Sequence, residues 1–294
     1  MNKNMMIGMT KDGFIRFYVA NTTEMVEKAR EIHQTTPVAT AALGRSITAA
    51  SIMGKMEKND NVKLTFQVRG SNLIKSIVAV SDSNGTVKGY ISNPDIDILL
   101  KENGKLDVGG AVGKDGSLII IKDLGLKEPY IGQANLVSGE IAEDVASYYM
   151  SSEQQPSVVS LGVFVDRDMK VEAAGGFIIQ TMPGIDEDTI VKLENNLGKI
   201  KTASQMVRDG MSNLEIIEAV LEGFELEIME ESEIKYECDC TRERIEKALI
   251  SVGVVELKKI IEEDEKAELS CHFCNKKYSF DKEELESLLS EITA

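Results

Sequence analysis

The sequence predicts an α+β protein in three parts: a mixed α/β body over residues 1–182, a helical linker over 183–236 and a small cysteine-bearing module over 237–294. Three observations predict it. Strand-like runs separated by turn sequences dominate the first part, and three helix-like segments interrupt them without the regular alternation of a parallel α/β fold. Acidity is concentrated late: residues 1–182 carry 21 acidic and 19 basic side chains, residues 183–236 carry 13 and 5, and residues 237–294 carry 15 and 9. All four cysteines fall within the last 57 residues.

In the body, the first helix opens at Thr22 or Thr23; Thr23 is placed to cap it, and Met25, Val26, Ala29 and Ile32 recur at helical spacing. Pro37 starts a second helix, PVATAALGRSITAASIMGKM, Ala-rich and nearly uncharged, a composition that predicts burial on most sides. Val62–Val68, Ile74–Ser81, Thr86–Ile91 and Leu118–Lys122 read as strands, with SNGT, NPD and KDGS as turns. A third helix follows Gly139, where Glu140, Glu143 and Asp144 suit the positive end of the helix dipole. Val158–Val165 and Gly175–Thr181 close the body as strands.

The body advertises no catalytic chemistry, and the chain is expected not to be an enzyme. Its single histidine, His33, ends an amphipathic helix and reads as structural or surface; no cysteine accompanies it to form a nucleophile–base pair. Gly109–Asp115 (GGAVGKD) lacks the four-residue spacer and the hydroxyl after Lys of a phosphate-binding loop, so a glycine-rich turn is expected. A net charge of −16, no Trp and few aromatics argue against nucleic acid as a partner. No run approaches the roughly 20 apolar residues of a membrane helix. The N-terminal MNKNMMIGMTKDGF lacks a secretory apolar run, so a cytoplasmic chain with no membrane partner is expected.

Pro183-Gly184 breaks the last body strand. Beyond it Ile190, Leu193, Leu197 and Ile200 share one helical face, and Ser212-Asn-Leu-Glu215 is a capping box opening a helix faced by Ile216, Ile217, Val220, Leu221 and Phe224. Helices this short are marginal alone, so they must dock. Two readings follow: an ordinary helical subdomain, slightly favoured by composition, or a conditionally folded cover, acidic outside and apolar inside, over an apolar surface of the body.

Cys238-Asp-Cys240 and Cys271-His-Phe-Cys274 lie 30 residues apart. Two tight cysteine pairs in a cytosolic chain predict a tetrathiolate zinc site formed by Cys238, Cys240, Cys271 and Cys274. His272 is expected to be a neighbour, since four thiolates complete the shell. Glu268–Phe273 and Lys277–Phe280 read as paired strands around the second pair; Asp281 and Glu284 form a capping box for a last helix buried through Leu285, Leu288, Leu289 and Ile292. Thr241–Val252 reads as a helix ended by Gly253. The module's own core is thin, so its metal should dominate its stability.

The metal is purely structural on one reading and a redox sensor on the other. Were each pair to oxidise locally, each disulfide would close a three- or four-residue ring, stabilising by roughly 2 kcal/mol at best. Zinc ties residues far apart and contributes about 10–16 kcal/mol. Local oxidation would therefore exchange a long-range clamp for two short-range ones and unfold the module.

The C-x-C-x30-C-x2-C arrangement resembles that of the heat-shock protein thirty-three family of bacterial redox-regulated holdase chaperones. So do HQTTPVATAALGRS (His33–Ser46), VKGYISNP (Val87–Pro94), IKDLGLKEPYIGQANLVSGEIAED (Ile121–Asp144), SEQQPSVVSLGV (Ser152–Val163), AGGFIIQTMPG (Ala174–Gly184) and CDCTRERIEKAL (Cys238–Leu249). The resemblance implies a core chaperone domain over 1–182, a metastable helical linker over 183–236 and a zinc-binding redox-switch domain over 237–294. It implies that the reduced, zinc-bound form is inactive and that oxidant, usually with heat, forms disulfides Cys238–Cys240 and Cys271–Cys274 with zinc release. Linker unfolding and homodimer formation then follow, and unfolded clients are held without ATP and passed to ATP-driven foldases. The rival from another class is a constitutive zinc-ribbon binding protein with a structural metal. An enzyme with a C-terminal structural zinc ranks below it. A dithiol oxidoreductase ranks last, because the C-x-x-C sits in a predicted hairpin.

Overall fold

The computed structural model describes residues 3–59, 62–97 and 100–293, and the chain divides into two compact units, residues 1–237 and 238–294. The first unit opens with β1 (Met5–Thr10), β2 (Ile15–Asn21), α1 (Thr23–His33), α2 (Pro37–Lys55), β3 (Lys63–Arg69), β4 (Ser76–Asp82) and β5 (Thr86–Ile91). It continues through α3 (Val108–Val112), β6 (Ser117–Asp123), β7 (Tyr130–Asn135), α4 (Ala142–Ser151), β8 (Ser157–Val165) and β9 (Val171–Thr181). It ends with α5 (Glu187–Leu197), α6 (Ala203–Arg208), α7 (Asn213–Val220), β10 (Leu226–Ser232) and β11 (Lys235–Tyr236).

Two sheets result. One has the order β10-β1-β2-β9-β8, antiparallel throughout; the other has the order β11-β5-β4-β3-β6-β7, antiparallel except for the parallel β11–β5 pair. The α+β class expected from the sequence is what forms. Helix α2 lies between the sheets, packing on β3, β4 and β5 of one and on β2, β8 and β9 of the other. Its composition suits that place. Val38, Leu43, Ile47 and Ile52 are buried, and the hydroxyls of Ser46, Thr48 and Ser51 bond back to the carbonyls of Ala42, Gly44 and Ile47 at 2.8–2.9 Å. The hydroxyls are thus satisfied without a partner from either sheet.

A second apolar core lies on the opposite face of the five-stranded sheet. Met6, Ile15, Phe17, Val19, Ala173, Phe177 and Ile179 present that face, and Leu193 of α5, Ala203, Met206 and Val207 of α6, and Ile216, Ile217 and Val220 of α7 cover it. The Ser212–Glu215 capping box forms as expected, with the Glu215 amide on the Ser212 hydroxyl at 3.3 Å and the Ser212 amide on the Glu215 carboxylate at 2.8 Å. The middle segment is therefore a cover, apolar toward the sheet. It is not helical to its end: residues 226–232 join the sheet as β10 beside β1. Gly8 permits that pairing, since a Cβ there would overlap the Phe17 ring and the Glu227 carbonyl.

Other local expectations are corrected. Thr22, not Thr23, is the N-cap of α1; its hydroxyl turns inward to Thr48 at 2.7 Å, and Asn21 Oδ1 accepts the Thr23 amide instead. Gly109–Val112 of the stretch expected as a glycine-rich turn winds into α3, where the Asp107 carboxylate accepts the Gly110 amide at 2.9 Å, and Gly113, at φ 79°, ends it. Strands β1, β2 and β7 were not anticipated, and β9 begins four residues before the expected Gly175. Asp144 does more than complement a helix dipole: buried, it accepts amide hydrogens from Val137, Ser138, Gly139 and Ile141.

The second unit comprises α8 (Arg242–Ile250), α9 (Val254–Glu263), the hairpin β12 (Lys266–Ser270) and β13 (Lys277–Asp281), and α10 (Lys282–Thr293). Leu249, Leu257, Ile261, Tyr278, Phe280, Leu285 and Leu288 make its small core. Helix α9 was not anticipated; α8 ends at Ile250 with Ser251 as its C-cap, short of the expected Val252, and Gly253, at φ 94°, is instead the N-cap of α9. The Asp281–Glu284 capping box is present, with both amide–carboxylate bonds at 3.0–3.1 Å.

Candidate metal centre

The centre is built by two short stretches of backbone. Residues 238–240 run up to α8, whose first turn is capped by the Thr241 hydroxyl on the Arg244 amide at 3.3 Å. The second pair sits in the β12–β13 turn. There the Cys271 amide donates to Lys276 O at 2.9 Å and the Asn275 amide to Cys271 O at 2.8 Å, with Asn275 left-handed at φ 57°. This tight turn points both sulfurs the same way. The hairpin register, with Ser270 opposite Lys277, fixes where the turn falls.

The structure brings all four predicted ligand residues together. Cys238 Sγ lies 3.7 Å from Cys271 Sγ, Cys240 Sγ lies 3.4 Å from Cys274 Sγ, and all four sulfurs lie within 4.8 Å of one another. All four are free thiols, Cys271 buried and the others half-buried. A tetrahedral ion with metal–sulfur bonds of about 2.3 Å would space its sulfurs by about 3.8 Å, so the four thiols fit one. Soft sulfur donors alone select a soft or borderline metal. His272 is exposed and stands outside the cluster, as a neighbour rather than a member.

Electrostatics points the same way. Burial pushes the Cys238 and Cys274 thiols up. Burial acts on Cys240 in that direction too, but hydrogen bonds from the Tyr278 hydroxyl and the neighbouring thiols outweigh it and bring it down to about 7. Four adjacent thiolates repel one another, and a bound cation is what permits all to ionise.

Two supporting residues were missed in the sequence. The Tyr278 hydroxyl donates to Cys240 O and reaches Cys240 Sγ, both at 3.2 Å. Arg242 lies over the Phe280 ring, 4.3 Å from its centroid, and binds the Ser279 carbonyl and the Glu284 carboxylate. The alternation in Lys277–Asp281 marks Tyr278 and Phe280 as inward positions. Nothing in the sequence says that the hydroxyl meets a cysteine.

A mixed α/β unit with a helical cover on one sheet face, followed by a small tetrathiol unit competent to hold a metal, defines the class of protein. Comparison with known proteins gives the particular family. The family model described as "Hsp33 protein" matches residues 4–281, and the chain belongs to that family. It is 52% identical over 278 residues to a "33 kDa chaperonin" of Alkaliphilus metalliredigens, covering 95% of each chain. It is 51% identical over 281 residues to a "33 kDa chaperonin" of Clostridioides difficile, covering 96% of each. The crystal structure of a "33 kDa chaperonin (Heat shock protein 33 homolog)" from Thermotoga maritima superposes with a TM-score of 0.90 at 36% identity, covering 99% of each chain. The family is one of chaperones. Among the described residues no helix is long and apolar enough to cross a membrane.

Proposed function

We propose that this chain is a redox-regulated, ATP-independent holdase of the cytoplasm that binds unfolding proteins under oxidative and heat stress and has no enzymatic activity. The observation that carries the proposal is the cover: α5, α6 and α7 occupy an apolar sheet face in the same chain that carries a metal-competent tetrathiol. Cys238, Cys240, Cys271 and Cys274 hold Zn2+ in the reduced state, and the bound ion cross-links two stretches of the second unit.

Oxidation by a peroxide takes two electrons from each cysteine pair. A thiolate sulfur attacks one peroxide oxygen and the O–O bond breaks, leaving a sulfenic acid and hydroxide, which takes a proton from solvent to become water. The second thiolate displaces the sulfenic oxygen as hydroxide, which solvent protonates to a second water, forming the S–S bond. The disulfides are Cys238–Cys240 and Cys271–Cys274, whose sulfurs then no longer serve as ligands. With its long-range tie gone the second unit unfolds, and the linker loosens from the sheet. The division into a chaperone core (1–182), a metastable linker (183–236) and a redox-switch domain (237–294) is part of this proposal. Apolar surface so exposed binds clients, two oxidised chains associate as a homodimer, and clients pass later to ATP-driven foldases. Neither nucleic acid nor a membrane is a partner.

The test is light scattering of a chemically unfolded client diluted into buffer, with zinc-loaded reduced protein or with peroxide-treated, warmed protein, while released zinc is followed. Suppression of aggregation only after oxidation, in step with zinc release, is the expected result. Suppression by the reduced form alone, or by neither, would make the metal purely structural and favour a constitutive zinc-ribbon binding protein.

A further inference from the structure

Between the cover helices and the first cysteine pair the chain is not slack. Residues 226–236 are tied into both sheets of the first unit, β10 to β1 in one and β11 to β5 in the other. Asn4 clamps the crossing between them, donating from Nδ2 to Ile234 O at 3.0 Å and accepting the Ile234 amide at 2.8 Å. Tyr236 then ends β11. Its ring is buried, its hydroxyl donates to Gly89 O at 2.8 Å and accepts the Gly89 amide at 3.3 Å, and His33 Nε2 lies 3.3 Å from the same oxygen. Lys28 Nζ binds its carbonyl at 2.9 Å. One phenol thus gathers α1, β5 and the end of the linker, and only Glu237 separates it from Cys238 in the chain.

Resting on the redox-holdase reading, we infer that Tyr236 is a positioning residue acting as a stop: it confines the unfolding that follows loss of the metal clamp to the second unit until the tyrosine leaves its site. Unravelling that starts at Cys238 meets, two residues upstream, a side chain whose withdrawal breaks hydrogen bonds on both sides of Gly89 and opens the core. With Tyr236 seated, β10 stays paired to β1 and the cover helices remain anchored at their C-terminal end. Release of the cover after metal loss then passes through withdrawal of Tyr236 from Gly89.

Tyr236→Phe keeps the buried ring and removes the hydroxyl. The opening equilibrium of residues 183–236 after metal loss should rise about tenfold, the scale of one to two buried hydrogen bonds. The experiment follows backbone amide exchange by mass spectrometry in the full-length zinc-loaded protein before and after peroxide, first at one moderate temperature and then on stepwise warming to just below global unfolding, with released zinc read in parallel. Expected are unchanged zinc release, unchanged exchange in α2, and roughly tenfold faster exchange over 187–232 in the oxidised variant. Asn4→Ala, which removes the clamp on Ile234, should act in the same direction and serves if the first variant folds poorly. Equal linker exchange in variant and wild type, with the wild type opening normally after oxidation, overturns the stop. A rise that includes α2 also overturns it, by making Tyr236 a general core residue. If the wild type releases zinc and its linker never opens, at any temperature below global unfolding, the holdase reading itself fails.

Discussion

Ile217→Ala tests whether the cover can leave its sheet while the rest of the first unit stays folded. Ile217 is 0% exposed and sits in the core shared by α7 and the five-stranded sheet. Truncation removes three carbons, about 2.4 kcal/mol at roughly 0.8 kcal/mol each. Incomplete collapse of the cavity raises the loss to about 3 kcal/mol. Helices of this length have little stability of their own, so the loss falls on docking. At 1.4 kcal/mol per tenfold, the undocked population rises about 150-fold. Amide exchange in the reduced protein should show 187–220 exposed by that factor, with α2, buried between the sheets, unchanged. Light scattering should show partial protection of an unfolded client without oxidant. If exchange in α2 and α7 rises together, the cover is not separable from the body and the reasoning is refuted.

Three further outcomes are expected. Chelation of the reduced protein should unfold residues 238–294, seen as loss of helical circular dichroism and of amide protection there, while α2 stays protected, because the second unit's core is small and the metal proposed there would supply most of its stability. His272→Ala should leave metal stoichiometry by atomic absorption at the wild-type value, whereas Cys274→Ser should lower affinity at least tenfold in a competition titration, since only the cysteine belongs to the sulfur cluster. Burial works against the Glu140 carboxylate, but Lys101 and Arg45, each at 2.7 Å, and the Gly109 amide overcome it and hold its carboxyl below the usual range. A depressed folded-state value means stability that is present above the unfolded carboxylate range and lost as pH falls through the folded one. Glu140→Gln should therefore cost about 1–3 kcal/mol at pH 7 and flatten the loss of stability below about pH 4.5, measured by urea unfolding across pH.

Local signals in the sequence were read well where they act locally. The Ser212–Glu215 and Asp281–Glu284 boxes are two-residue hydrogen-bonding devices, and both form. Helix α2 was legible because nineteen residues carry only Arg45 and Lys55 as charges. The missed β1 and β2 had a signal, Lys11-Asp-Gly-Phe14 between apolar runs, with Gly13 at φ 79° in the turn. They escaped because MMIGMT and IRFYVAN do not alternate: covered on both faces, they read as continuous apolar runs. The misplaced cap at Thr23 and the unforeseen winding of α3 depend on contacts with α2 and with Asp107, which helical spacing alone does not reveal.

By itself the sequence determined the chemistry: four cysteines in two tight pairs admit few roles, and acidic amphipathic helices must dock on something. Thiol ligation and helix amphipathicity are properties of residue type and spacing, so they survive without coordinates. Only the tertiary structure decided what the helices dock on and how the chain is held ahead of the four cysteines. The cover lies on Phe17, Phe177 and Ile179 from strands far apart in the chain. Residues 234–236 are pinned by Asn4, more than two hundred residues away, and by the Tyr236 hydroxyl in its slot at Gly89. Those partners are set by sheet order and register, which arise from the packing of the whole unit rather than from any local stretch.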